Sequence, residues 1–275
     1  MTTSTLDVRQ PAVSGRFYPA RADELGAEVD KYLGGAATSG GTRHHGIVAP
    51  HAGYVYSGPI AGKIFADTIV PRRAIVLAPN HTGRGARVAL WPRGAFAVPG
   101  AAVPVDDELA TRLLDSGAGF AADREAHRFE HALEVELPFL RARNPDVVVT
   151  PVILGGLDGA ECIALGRTIA DVVAALDDDV LVVASSDMSH YLPDDVTRKI
   201  DRRAIEPMLA CDPARLYDVV EREDISMCGI LPATVMLSYA RARGATRGTL
   251  VAYGTSADAF GDTDRVVGYA GIAVD

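Results

Sequence analysis

Short runs of β-branched and aliphatic residues alternate along the chain with longer stretches in which apolar positions return every three or four residues. The runs HGIVA (45–49), AIVLA (74–78), DVVVTPVIL (146–154) and VLVVAS (180–185) read as buried strands, and ARVALWP (86–92) as a further one. Between them, ADELGAEVDKYLG (22–34) reads as a helix stopped by Gly34 and Gly35, followed by a surface loop, GGAATSGG (34–41). Helices are also predicted over 58–69, over PVDDELATRLLDSG to Gly117, over 124–143 with a kink or break at Pro138, and over 158–176. Two or three more fall between 194 and 243, and GTLVAYGTS (248–256) and RVVGYAGIAV (265–274) close the chain as antiparallel neighbours at a sheet edge. Strands alternating with helices predict an α/β fold, a mostly parallel twisted sheet flanked by helices on both faces, with residues 1–275 as a single domain.

The formal charge of −9 argues against a nucleic-acid partner, which needs a basic face to neutralise phosphates, and favours a small-molecule or peptide ligand. No apolar run is long enough for a membrane span and the first 15 residues carry no apolar leader core. Three scattered cysteines, Cys162, Cys211 and Cys228, form no disulfide framework, so a reducing, cytoplasmic setting is expected.

The chemistry collects at strand ends. GIVAPHAG and AIVLAPNHTG each run from an apolar strand through Ala-Pro to a histidine, His51 and His81, 30 positions apart. One βα unit spans that distance, so the two histidines are expected at the carboxyl ends of neighbouring parallel strands, the edge where open α/β sheets bind ligands. Asp187 and His190, in SSDMSHY, follow a third strand to the same edge. A single histidine after a strand is ordinarily a loop or packing group; three strand ends that each carry one make a shared site. Two imidazoles suit a divalent metal that needs a third protein ligand, for which Asp187, His190, His131 and Cys228 are the candidates. Cys228 precedes the first turn of an apolar helix, a setting that favours thiolate; the competing reading is a small buried hydrophobe. His131 is read as a support for the ligands or a substrate contact, and His127, one turn earlier on the same predicted helix, as a surface group. Ser185 and Ser186 are too close to His190 in sequence for a catalytic triad and are expected to cap the following turn or orient Asp187. Phe17, Tyr54 and Tyr56 are candidates for an aromatic pocket wall. No phosphate-binding glycine loop or nucleophile elbow is present.

These motifs, with AVSGRFYPA (12–20), EHALEVELPFL (130–140), CGILP (228–232) and YGTSAD (253–258), resemble the Memo family, also called AmmeMemoRadiSam system protein B, over nearly the whole chain and in the family's order. The resemblance implies a fold like that of the class III extradiol dioxygenases, which hold Fe(II) with two histidines and a carboxylate. It implies that His51 and His81 are the metal histidines, with Cys228 in the third-ligand position and His190 in the acid/base position. Asp187 and His131 match the aspartate and the additional histidine of the pocket. A thiolate in place of the carboxylate softens the site and turns the expectation toward iron or copper, with zinc as a further occupant and a redox role, in place of plain ring cleavage. The family also implies association with a radical SAM protein and an AMMECR-type protein, and, as the alternative to an enzyme, a non-catalytic scaffold that recruits a peptide through the same cleft.

Overall fold

The computed structural model describes residues 8–35, 40–176 and 178–275. Half of the predicted loop 34–41, residues 36–39, therefore lies outside the described residues. Four strands form a parallel centre: β2 (Gly46–Ala49), β9 (Val180–Ser185), β3 (Arg73–Pro79) and β8 (Val148–Leu154), side by side in that order. Beyond β8 lie β4 (Val88–Leu90), antiparallel to it, and β7 (Ala121–Ala122); beyond β2 lies β12 (Val266–Val274), also antiparallel, which pairs in turn with β10 (His190–Leu192) and β11 (Gly248–Thr255). The sheet is thus mixed: its four central strands are parallel, β12 and β4 flank them antiparallel, and β7 pairs parallel with β4 at the edge. β12 is an inner strand, not the edge the sequence predicts, because its whole length is apolar and it is buried on both faces. A second sheet, β1 (Val8–Arg9), β5 (Ala95–Val98) and β6 (Ala101–Pro104), has strands too short and too mixed for the hydrophobic pattern to announce.

The central strands are continuous apolar runs because both faces are covered. Val48, Ile75, Leu77, Val182 and Ala184 face a core built with α3 (Asp107–Asp115), α5 (Gly159–Ala174), α6 (Asp194–Leu209), α7 (Pro213–Arg222) and α8 (Ile230–Ala242). Their sequence neighbours Ile47, Ala49, Val76, Leu181 and Val183 face the opposite core, with α1 (Ala22–Leu33), α2 (Tyr54–Asp67) and α4 (Leu137–Arg143). The period-two alternation of a strand divides one apolar run between two cores.

α2 begins at Tyr54, four residues ahead of the predicted start. Pro59 stands inside the helix and so gives up the hydrogen bond that its N–H would make to the Val55 carbonyl. Gly58 and Gly62, one turn apart, give α1 its seat: a Cβ at either would stand 2.4 Å from Tyr32. The larger departure is at 124–143. Only residues 134–143 are helical, a 3-10 turn (Glu134–Glu136) running into α4, with Pro138 in its first turn. Residues 124–133 form turns, since side chains have taken the backbone groups an α-helix needs. The Arg9 guanidinium donates to the carbonyls of His127 and Glu130, and the Glu130 carboxylate accepts from the N–H groups of His131 and Ala132.

Candidate metal centre

Three strand ends build the site in register. Ala49 pairs with Ser185 across β2 and β9, and Leu77 with Ala184 across β9 and β3. His51, Asp187 and His81 each stand two residues beyond the last residue of their strand. The strands of His51 and His81 are not neighbours as predicted: β9 runs between them, so the chain skips one place in the sheet between β2 and β3. That gap sets Asp187 between the two histidines.

His51, His81 and Cys228 come together, with one donor atom from each lying within 4.8 Å of the others. The fourth wall is the turn segment, which stacks the His131 ring on His81 (centroids 4.8 Å apart, 21° between planes) and sets it 5.5 Å from the ring of His51. His81, Glu130 and His131 also lie close together, but the Glu130 carboxylate already accepts four N–H groups. Its Oε1 accepts from His81 Nδ1 at 2.9 Å and from the N–H groups of His131 and Ala132, while its Oε2 accepts the His81 N–H at 2.7 Å. Glu130 therefore orients His81 and leaves the Nε2 lone pair of that ring as the free one. On the other side, His51 Nδ1 meets Ser185 Oγ at 2.8 Å and its Nε2 faces Cys228 Sγ at 3.2 Å. Ser185, expected to cap a turn or serve Asp187, instead serves His51; its neighbour Ser186 accepts from the N–H of Gly229, ahead of α8, and so ties the Cys228 turn to β9.

Asp187 Oδ1 accepts the His51 N–H at 2.8 Å, and the Asp187 N–H points at Cys228 Sγ at 3.3 Å. Burial raises the Asp187 carboxyl to about 7. Burial, then the neighbouring imidazoles of His131, His81 and His190, hold His51 well below the usual histidine range. Burial would lower His81 as well, but the hydrogen bond and charge of Glu130 outweigh it and the net shift is upward. The Cys228 thiol is pushed up by burial and by Asp187, which corrects the expectation that its helix end holds it as thiolate; a ligating metal has to displace that proton. His190 is partly exposed and pinned by Ser226, whose carbonyl accepts from Nδ1 at 2.8 Å and whose hydroxyl accepts the backbone N–H at 2.9 Å. Its Nε2 is the unprotonated nitrogen.

The three aromatic candidates part company. Phe17 packs its ring 4.8 Å from that of His131. Tyr54 is buried against Tyr18 and Phe139 and donates to the Val135 carbonyl, a place in the core, not on a pocket wall. Tyr56 is exposed and lies against Phe260. His127, expected at the surface, is buried: its Nε2 bonds the Ala89 carbonyl and its ring lies against Trp91 and Phe96.

The family described as Memo-like protein matches this chain over residues 9–273. The chain belongs to the Memo family. Its relatives include a MEMO1 family protein of Methanopyrus kandleri, 39% identical over 96% of this chain and 98% of its own length. Another, of Aquifex aeolicus, is 36% identical over the same shares, and one of Methanosarcina mazei is 36% identical over 98% of this chain and all of its own. Among solved structures, an uncharacterized Escherichia coli K12 protein, JW3007, shares the fold with a TM-score of 0.56 and 16% identity, over 84% of this chain and all of that one. Within this Memo chain sequence reasoning missed the roles of Glu130, Ser185 and Ser226, whose hydrogen bonds hold His81, His51 and His190. No helix among its described residues is long and apolar enough to cross a membrane.

Proposed function

We propose that the chain is a redox-active metal protein that holds iron or copper through His51, His81 and Cys228, in a cleft of extradiol dioxygenase type that takes a small-molecule or peptide ligand. One observation carries this reading. Two imidazoles whose Nδ1 atoms are already engaged, by Ser185 and by Glu130, share a 4.8 Å cluster with a thiol, and that leaves both Nε2 lone pairs and one sulfur for a common ion. Two nitrogens and a sulfur suit a borderline-soft ion, copper or thiolate-ligated iron, and also zinc, but not magnesium or calcium. Bound there, iron or copper supplies electron transfer to the ligand in the cleft.

The chain's own residues do the rest. His190 donates through Nδ1 to a fixed carbonyl, so Nε2 is the atom that takes up or returns a proton. Burial lowers its pKa and keeps it neutral, ready to accept, near pH 7. Asp187 fixes the backbone of His51, and Phe17 with His131 closes the aromatic side of the cleft. Elemental analysis by ICP-MS on protein purified without tag or chelator tests the proposal. A stoichiometric transition metal in the wild type, absent from the His51→Ala/His81→Ala double variant, is the expected result. No metal in either, with none taken up on anaerobic reconstitution, overturns it in favour of a non-catalytic scaffold.

A further inference from the structure

Glu136, at the end of the 3-10 turn, is fully buried, and its Oε2 has no hydrogen-bonding partner among the described residues. Its Oε1 lies 2.7 Å from Ser185 Oγ. The same Oγ lies 2.7 Å from the carbonyl oxygen of Ala132 and 2.8 Å from His51 Nδ1. A hydroxyl has one proton to give and two lone pairs to fill. The carbonyl can only accept, so the Ser185 proton goes there. Both remaining contacts must then bring a proton to Oγ: one from His51 Nδ1 and one from the Glu136 carboxyl. Proton counting makes Glu136 a neutral acid, and a buried acid whose second oxygen is unbonded costs far less than a carboxylate in the same place. Burial also drives its pKa well up.

We propose that Glu136 is a positioning residue for the centre: as a protonated acid it directs the Ser185 hydroxyl toward Ala132, which obliges His51 to carry its proton on Nδ1 and to present the Nε2 lone pair toward Cys228. The metal half of this inference rests on the proposed function; the tautomer half stands on the hydrogen bonds alone. The device is a chain of two side chains, from β9 and from the 3-10 turn, acting on a third just beyond β2. It gives His51 an oriented ring with no charge spent in a site that excludes water.

The test is ¹⁵N NMR of histidine-labelled, metal-free protein near pH 7, followed by Co(II) titration. In the wild type His51 is expected as the Nδ1–H tautomer. Glu136→Gln keeps a donor at Ser185 and should rescue both readouts, with the tautomer unchanged and cobalt affinity within about 2-fold. Glu136→Leu removes the donor; the Nε2–H tautomer should then be populated and cobalt affinity fall about 10- to 100-fold, the range for losing a group that orients a metal ligand. If Glu136→Leu does not fold, Glu136→Met, with a more pliant apolar chain, takes its place. His51 found as Nε2–H in the wild type overturns the inference. So does Gln behaving like Leu, or Leu behaving like the wild type in both readouts. Wild-type protein that shows the tautomer yet takes up no cobalt sinks the metal reading and leaves the tautomer lock standing.

Discussion

His51 and His81 offer the same atom to the same cluster, but the two halves of the molecule hold them by opposite means. His51 is buried and, apart from Asp187 at its backbone N–H, the partners that orient its ring are neutral: a serine hydroxyl and, behind it, an acid that keeps its proton. His81 stands at the partly open side, one-third exposed, and is held by a carboxylate that accepts four N–H groups. That carboxylate sits on a segment stitched in turn by the buried ion pair of Arg9 and Glu134, whose oxygens also take the N–H groups of Ala12 and Val13 and the hydroxyl of Tyr18. Where water is excluded on every side, an unpaired charge is too costly and the ring is oriented by neutral donors. Where N–H donors converge in numbers, a charge is affordable and the ring is oriented by an anion.

The charged wall is the one a single substitution breaks hardest. Glu134→Gln keeps the shape of the side chain but leaves the Arg9 guanidinium buried without its anion and turns one acceptor oxygen into a donor. A loss of about 3–5 kcal/mol is expected in urea unfolding, the range for removing one partner of a buried pair. A loss of less than a quarter of that would mean the segment is held by packing, and the contrast between the two walls would fail.

The same wall carries a pH dependence. Burial, against a hydrogen bond to the Ala89 carbonyl that pulls the other way, lowers His127 to about 4. A base whose folded pKa lies below its unfolded value is stabilised in its neutral form. Its contribution is complete above about 6.5, declines as pH falls toward 4, and is gone below that. The difference is worth roughly 3 kcal/mol over the window. Unfolding free energies of wild type and His127→Gln, measured from pH 7.5 to 4, should converge as the pH falls; parallel curves would show that His127 is not the titrating group.

Much of the site was legible along the chain because strand and helix periods are local. GIVAPHAG and AIVLAPNHTG place a histidine just past a strand whatever the rest of the chain does, and SSDMSHY does the same for Asp187. Strand order is not local: nothing in the spacing of His51 and His81 tells that β9 enters between them. The turn segment 124–133 has helical periodicity, and what defeats it is the guanidinium of Arg9, 118 positions from His127. Backbone groups taken by side chains from a distant strand leave no mark on a hydrophobic pattern. The proton on Cys228 was misread for a related reason: the helix end is visible in sequence, the burial that outweighs it is not.

The sharpest comparison uses one substitution twice. Glutamine has the shape of glutamate but brings two N–H donors in place of one acceptor oxygen. At Glu136 the carboxyl already donates to Ser185, so Glu136→Gln should leave His51 as it was. At Glu130 every contact is an N–H aimed at an oxygen, so the amide nitrogen of Glu130→Gln must face either the His81 backbone N–H or, together, His81 Nδ1 and the N–H groups of His131 and Ala132. The anion that holds His81 upward in pKa is lost as well. Co(II) affinity should fall about 10- to 100-fold, with the His81 titration moving to lower pH as seen by NMR. Equal affinities for the two glutamine variants would mean that charge plays no part in orienting His81, and that the two walls differ in burial alone.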